Sequence, residues 1–287
     1  MALLSLLDVA APAKLNLFLH VVGRRADGYH LLQSVFVLID WCDTLHFERR
    51  ADGRLARHDL GAALPDDDLC LRAARLLQAE SGTSLGADIS IEKYVPWGAG
   101  MGGGSSDAAS TLLALNRLWG LNLPRERLAA LGLKLGADVP FFIGGHNAFV
   151  EGIGERLTPL PVPPAWFAVV KPPAAIATSA IFGSPLLVRD TEAVILAGFL
   201  ADTASGFGRN DLQAPAEAHC AEVGVAREIL QRRFGNARMT GSGSAVFARA
   251  GTGAEPTAAM PADLPPGWVG RMCRSLEQHP LVGWAPD

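Results

Sequence analysis

The sequence lacks the features of several protein classes. It has no long run of Lys and Arg and a net charge of −4, so nucleic acid is not expected as a partner, because counterion release rewards clustered basic residues. Residues 1–8 contain no basic segment of the kind that opens a secretory signal. The longest uncharged stretch, 172–188, holds three prolines and is too broken to span a bilayer. We therefore expect a soluble, cytoplasmic protein with no membrane partner, and leave open whether it is a monomer or a dimer.

Cysteine is scarce as well. The chain has four cysteines, and no two of them show C-x-x-C spacing, which argues against a zinc site or a redox pair. Reduced thiols are the expectation for a cytoplasmic protein. The four residues are Cys42, Cys70, Cys220 and Cys273.

Glycine, in contrast, is abundant. The chain has 31 glycines among 287 residues, where a typical share gives about 20. Five of them fall within 98–104, and Gly241 and Gly243 form a second small cluster. At about 150 residues per domain the length predicts about two domains. Because four prolines crowd 157–164, we place the boundary there, with an N-terminal domain at 1–158 and a C-terminal α+β domain at 159–287.

The order of predicted elements favours an α+β fold, because strands and helices mix without a regular βαβ rhythm. Alternating apolar residues predict a hairpin within 14–40 and a strand at 88–94. Helical spacing predicts three helices before the boundary, at 68–80, 108–119 and 124–135. Beyond the boundary we expect a strand at 166–170, helices at 191–201 and 215–234, and two strands within 237–250.

The glycine-rich segment is the strongest functional signal. It lies between a predicted strand and a predicted helix, where glycine permits positive φ angles and turns backbone N–H groups toward an anion at the helix N-terminus. Gly98, Gly100 and Gly103 also satisfy G-x-G-x-x-G, the pattern of dinucleotide-binding loops. A dinucleotide site, however, also requires a hydrophobic parallel strand before the loop and an acid about 20 residues later. A Walker A loop needs a lysine after the glycines, whereas Ser105 and Ser106 stand there. The segment therefore predicts a phosphate site of neither common type.

Three segments in order resemble the GHMP kinase superfamily, named for galactokinase, homoserine kinase, mevalonate kinase and phosphomevalonate kinase. They are 12–17, 96–109 and 239–245. The Asp-Gly-Tyr-His segment within 25–30, together with 135–141, is most similar to the branch that phosphorylates the 2-hydroxyl of 4-diphosphocytidyl-2-C-methyl-D-erythritol in isoprenoid precursor synthesis. The resemblance implies a two-domain GHMP kinase fold with the active site in the cleft between domains. A kinase for another small alcohol, such as homoserine or mevalonate, and a non-catalytic nucleotide-binding protein are the alternatives.

The resemblance also implies ATP and Mg²⁺ as cofactors and a cytidyl diphosphate compound as the small-molecule partner. Ser106 is a candidate ligand for the metal, whose other protein ligands stay unknown. The residues implied for ATP binding are Pro96, Gly98, Ala99, Gly100, Met101, Gly102, Gly103, Gly104, Ser105 and Ser106.

Two charged residues are the catalytic candidates. Only four of the 25 basic residues are lysine, and Lys14 stands in an apolar strand region, where it could cap a strand end or offset charge at a reacting phosphate. Asp138 could simply cap the turn that follows it. In the resembled family the aspartate of this segment is the catalytic base. The resemblance thus implies Asp138 as general base and Lys14 as electrostatic stabiliser.

The remaining candidates would bind the acceptor. Tyr29 and His30 could simply form the turn of a hairpin, but proteins also use an aromatic face and a ring edge to bind a single base. The resemblance implies that this turn grips cytosine and that Phe182 closes the other side, although Phe182 could instead be a core aromatic. Asn16, which could also be a strand amide bonded to backbone, would orient the acceptor, and Thr178 is a further substrate-binding candidate.

Overall fold

The structure is a computed structural model that describes residues 3–196 and 208–287. Within these residues the chain forms two sheets, with α-helices packed on both. The strands are β1 Ser5–Arg24, β2 His30–Arg50, β3 Leu55–Asp59, β4 Gly86–Glu92, β5 Ala148–Gly152, β6 Arg156–Pro159, β7 Trp166–Lys171, β8 Arg238–Met239, β9 Val246–Arg249 and β10 Val269–Arg274. The helices are α1 Leu69–Ser81, α2 Gly103–Leu118, α3 Arg125–Leu133, α4 Val139–Gly144, α5 Thr178–Gly183, α6 Gln213–His219 and α7 Ala221–Phe234, and a 3-10 turn spans Val282–Trp284.

The first sheet is built around the long antiparallel hairpin of β1 and β2. Its order is β3-β4-β2-β5-β6, with β1 paired to β2. The β1–β2 register shifts between Pro12 and Lys14, because proline has no N–H to donate to the ladder. Just after this break, the N–H of Lys14 donates to the carbonyl oxygen of Met101 at 2.9 Å. The irregularity therefore attaches β1 to the glycine-rich segment.

Helices α1 and α2 cover one face of this sheet. Leu77 of α1 and Leu112 of α2 share one buried cluster with Phe47 and Ile89 of the sheet. Each such side chain contributes about 1.5–3 kcal/mol when fully buried. This core fixes the beginning of α2 relative to β1 and β4.

The second sheet has the order β10-β7-β9-β8 and carries α5, α6 and α7. Its other face packs on the first sheet, since Phe167 and Phe247 join a cluster that includes Leu15, Val37 and Ile39. The rings of Phe167 and Phe247 meet edge to face, with centroids 5.8 Å apart. Two sheets in contact through an apolar layer form a fixed base for the site above them.

The chain after β10 returns to the N-terminal part of the molecule. The N–H of Leu276 donates to Leu38 and that of His279 to Gly145, each at 2.8 Å. Leu281 is buried in the core of the first sheet, and Arg125 donates from Nη2 to the carbonyl oxygen of Ala285 at 3.0 Å. The division at residues 158 and 159 stays a prediction, and the last residues pack across it.

Most predicted elements are confirmed, including the hairpin within 14–40, helix 68–80 and strands 88–94 and 166–170. Helix α2, however, starts at Gly103 instead of residue 108.

The expected helix 215–234 is two helices, because Cys220 is extended with φ −148. Residues 191–195 are not helical, since Thr191 is held by Val21 through its N–H and by Asp211 through its hydroxyl, and 197–201 lie outside the described residues. In the two described ranges, no helix has the length and apolar character needed to cross a membrane.

Candidate active site

The glycine-rich segment adopts the backbone that its composition predicts. Gly98, Gly100 and Gly102 have φ angles of +62°, +73° and +71°, a region that residues with a Cβ rarely occupy. Helix α2 begins at the next residue, Gly103. The loop therefore ends on a helix N-terminus, where unpaired N–H groups and the helix dipole favour an anion.

The second glycine cluster locks this loop in place. The N–H groups of Ser244 and Ala245 donate to the carbonyl oxygens of Gly98 and Ala99 at 3.0 and 3.1 Å. A Cβ on Gly100 would lie 2.4 Å from the carbonyl oxygen of Thr240, and one on Gly241 would lie 2.5 Å from that of Gly100. The two segments can approach this closely only because both positions are glycine.

A pocket of about 560 Å³ opens above the loop. Its walls also include Leu69, whose helix α1 is capped by Asp68 through a 3.1 Å hydrogen bond to the N–H of Leu71. The indole of Trp97 is 67% exposed at the pocket. The predicted ATP-binding residues that line it are Pro96, Gly98, Ala99, Gly100, Met101, Gly102, Gly103, Gly104 and Ser105.

Ser106 is the exception among these residues. Its side chain is fully buried in the first turn of α2, and its Oγ has no hydrogen-bond partner among the described residues. The same holds for Oδ1 of Asp107. Two unpaired buried oxygens beneath a phosphate loop are unusual, because such groups normally have a partner.

Lys93, a partly buried lysine beside the loop, is not predicted by the sequence. Lys93 donates to Oδ2 of Asp107 at 2.5 Å and also to Asp43, and it lines the pocket. Burial raises the pKa of Asp107 to about 8, although Lys93 acts in the opposite direction. Asp43 is 50 residues away from Lys93 along the chain, so no local motif predicts the group.

A second pocket of about 170 Å³ adjoins the first at the loop, since Gly100 and Gly102 line both. Besides these two glycines, it contains both catalytic candidates and three of the substrate-binding candidates: Lys14, Asn16, Asp138, Thr178 and Phe182. A Cβ on Gly102 would lie 3.3 Å from Cε of Lys14. The loop thus brings the nucleotide pocket directly against the predicted catalytic pair.

Lys14 and Asp138 approach each other in this second pocket. Nζ of Lys14 lies 3.4 Å from Oδ2 of Asp138 and 4.1 Å from the ring centre of Phe36, and the lysine is 3% exposed. Burial lowers the pKa of Lys14, while Asp138 opposes that change. Asp138 precedes α4 but makes no side-chain capping bond to that helix, so its carboxylate is not used in the way that a simple cap would be.

Asn16 holds the lysine from the other side. Its Oδ1 accepts from Nζ of Lys14 at 2.6 Å, while its N–H donates to Oγ1 of Thr240 at 2.9 Å and its Nδ2 to Oγ of Ser34 at 3.0 Å. A buried amide with these partners has one preferred orientation. Asn16 therefore orients Lys14, and Thr240 ties both to the second glycine cluster.

The predicted base-binding residues are placed less uniformly. The rings of His30 and Phe182 stack with centroids 4.9 Å apart and planes 28° from parallel. Thr178 shares a 2.9 Å hydrogen bond with Ser242. Tyr29 is 60% exposed at the tip of its turn and does not line the 170 Å³ pocket. Thr178 and Phe182 line that pocket, whereas His30 does not and is joined to it through its stacking on Phe182. Contacts of Tyr29 and His30 with substrate stay predictions.

Comparisons with known proteins agree on one family. Residues 68–146 match the model of the GHMP kinases N terminal domain, and 196–260 match that of the GHMP kinases C terminal domain. A relative from Methylibium petroleiphilum, named 4-diphosphocytidyl-2-C-methyl-D-erythritol kinase, is 71% identical over 99% of this chain and 100% of its own length.

Two solved structures extend this agreement to the fold. A 4-(cytidine 5'-diphospho)-2C-methyl-D-erythritol kinase superposes with a TM-score of 0.73 at 38% identity, covering 84% of this chain and 89% of the other. A homoserine kinase from Cytophaga hutchinsonii superposes with a TM-score of 0.69 at 14% identity, covering 96% and 95%. The second likeness concerns the fold alone.

Proposed function

Since this chain belongs to the GHMP kinases, in the group of the 4-diphosphocytidyl-2-C-methyl-D-erythritol kinases, we propose that it transfers the γ-phosphate of ATP to the 2-hydroxyl of that substrate. The reaction is a step of the methylerythritol phosphate route to isoprenoid precursors. The observation that carries the mechanism is the Lys14–Asp138 pair in the second pocket, next to the loop glycines that line both pockets. One pocket suits a nucleotide, and the other suits a small alcohol.

In the proposed step, the acceptor hydroxyl attacks the γ-phosphorus. Its proton passes to the carboxylate of Asp138, a bond forms between the hydroxyl oxygen and phosphorus, and the bond from phosphorus to the bridging oxygen of ADP breaks. Lys14, held by Asn16 at 2.6 Å, provides a fixed positive charge beside the transferred group. Such preorganised charge is the main way in which enzymes accelerate phosphoryl transfer.

ATP would be held by its phosphates. The N–H groups of the loop and the N-terminus of α2 suit the triphosphate, and the 560 Å³ pocket beside Trp97 has room for the base. Lys93 lies at the same wall and adds positive charge near the helix start.

The residues at the start of α2 also fit a magnesium ion. Within the described residues, no cluster of three or more His, Cys, Asp or Glu is placed to hold a metal. Mg²⁺, however, needs only one or two protein oxygens when nucleotide phosphates supply the rest, and the unpaired oxygens of Ser106 and Asp107 are available as candidates. When bound, the ion neutralises charge on the phosphates during transfer.

The cytidyl part of the substrate would occupy the region of His30 and Phe182. Their aromatic faces suit a pyrimidine ring, and Thr178 adds a hydroxyl at the pocket wall. We place the reaction in the cytoplasm, and the four free cysteines suit a reducing compartment.

A substrate panel tests the function directly. The purified protein is incubated with ATP, Mg²⁺ and equal concentrations of the cytidyl diphosphate substrate, homoserine or mevalonate, and the phosphorylated product is identified by mass spectrometry. We expect ADP release and a monophosphorylated product with the cytidyl compound, and at least about 10³-fold lower turnover with the other two alcohols, because buried polar groups reject ligands that leave them unpaired. Comparable turnover of homoserine or mevalonate, or no transfer to the cytidyl compound, would contradict the proposal.

A further inference from the structure

One arginine connects the two rings at the proposed base site. Arg189 donates from Nε to Nε2 of His30 at 3.2 Å. The same guanidinium donates from Nη2 to the carbonyl oxygens of Phe182 and Ser184, both at 3.0 Å, and from Nη1 to that of Leu187 at 3.0 Å. His30 and Arg189 are 159 residues apart along the chain, so the contact joins the start of β2 to the segment that follows α5.

The contact with His30 determines the protonation of that ring. A guanidinium has donors and no acceptor and stays charged at any relevant pH. Nε2 of His30 must therefore be the acceptor, which leaves the single proton of the neutral ring on Nδ1. Partial burial and the charges of Arg189 and Arg24 lower the pKa of His30, which agrees with a neutral ring.

The hydrogen bonds from Arg189 to carbonyl oxygens fix the position of Phe182. Helix α5 has six residues, too few to be stable without tertiary support. The carbonyl groups at a helix C-terminus lack partners within the helix, and Arg189 supplies partners for those of Phe182 and Ser184. The guanidinium thus holds the end of α5 that carries the Phe182 ring at the acceptor pocket.

We propose that Arg189 is a positioning residue for recognition of the pyrimidine base. It keeps His30 neutral with its proton on Nδ1, and it keeps the Phe182 ring stacked on the His30 ring. A ring in this state offers a donor to the N3 or O2 acceptors of cytosine. The inference rests on the proposed function, because that function assigns His30 and Phe182 to the base.

A double-mutant cycle measures whether Arg189 acts through His30. In the wild-type background, Arg189→Ala is expected to raise the KM for the cytidyl substrate about tenfold and to leave the KM for ATP within about twofold, the effect of one lost charge-assisted hydrogen bond. In the His30→Ala background, the same change should raise that KM by no more than about threefold, which is the part due to Phe182. Arg227→Ala, which breaks the contact of Arg227 on α7 with Glu217 on α6, is the control and should change neither constant.

Equal effects of Arg189→Ala in both backgrounds would overturn the proposal, as would an equal rise in the KM for ATP. A second readout requires no turnover. In ¹⁵N NMR of the free protein, with the His30 signals assigned from their loss in His30→Ala, we expect a proton on Nδ1 in the wild type and on Nε2 in a substantial fraction of Arg189→Ala. A proton on Nε2 in the wild type would refute the tautomer assignment. Failure of the substrate panel with the expected tautomer present would contradict the proposed function alone.

Discussion

Replacing Gly100 by alanine is expected to push apart the two glycine segments that form the phosphate site. The new Cβ would lie 2.4 Å from the carbonyl oxygen of Thr240 and 2.8 Å from the N–H nitrogen of Gly243. A carbon–oxygen contact normally measures about 3.3 Å or more, so one backbone must move by about 1 Å. A φ of +73° adds about 1–2 kcal/mol for any residue with a Cβ.

The displacement of the backbone and the strained φ set the expected losses of activity and of stability. A displacement of about 1 Å at a site that positions reacting groups costs about 100-fold in rate, so kcat/KM for ATP should fall by about that factor. The clash and the strained φ together should lower the free energy of unfolding by about 3 kcal/mol or more. Urea unfolding and steady-state kinetics with ATP varied are the assays.

Gly120→Ala provides the matched control. Gly120 has a φ of +66°, and no atom lies within 4 Å of its Cβ position, so the change should cost only about 1–2 kcal/mol of stability and should leave the kinetics intact. Equal effects of the two substitutions on kcat/KM would refute the argument that close approach of the loops, and not backbone strain alone, requires glycine at position 100.

Two further predictions concern pH. The lowered pKa of Lys14 means that its charge is lost below the pH at which an ordinary lysine titrates, so kcat/KM should fall on the alkaline side. Lys14→Arg should remove that fall, because arginine stays charged. An unchanged alkaline profile in Lys14→Arg would contradict the role given to the Lys14 charge. His279 has its pKa lowered to about 3 by burial and by Arg125, so its contribution to stability is present above the ordinary value of about 6.5 and is lost as the pH falls toward 3. Between about pH 6 and pH 4 the wild type should therefore lose about 1.4 kcal/mol per pH unit more than His279→Asn, and parallel urea-unfolding curves across that range would contradict the assignment.

The glycine-rich loop was predictable from sequence because its chemistry is local. Positive φ angles at Gly98, Gly100 and Gly102 follow from glycine itself, and a strand before the loop with a helix after it can be recognised from apolar spacing. The start of α2 was predicted five residues too late, since glycine and serine are poor helix formers. Tertiary contact overrides that preference at Gly103, where a Cβ would lie 3.0 Å from the Val95 side chain.

The parts of the site that escaped prediction depend on distant residues. Lys93 and Asp43 are 50 residues apart along the chain, and Arg189 and His30 are 159 residues apart. No periodicity or short motif predicts either contact. The packing of the C-terminal residues on the first sheet was equally hard to predict. Leu276 is hydrogen-bonded to Leu38, but it lies in a Pro-rich tail whose composition predicts little secondary structure. The scarcity of lysine already singles out Lys14, whereas the role of Asp138 as base follows from resemblance to a family. Their 3.4 Å separation is a property of the fold.

Single-turnover phosphoryl transfer by Asp138→Asn tests the central claim most directly. The amide keeps the shape of the carboxylate but cannot accept the proton, so the rate with saturating ATP and the cytidyl substrate should fall about 10³-fold, while the affinity for ATP stays within about twofold. Asp52→Asn, at an exposed carboxylate paired with Arg50, should retain the wild-type rate. A rate for Asp138→Asn within about tenfold of the wild type would contradict a general base at this position.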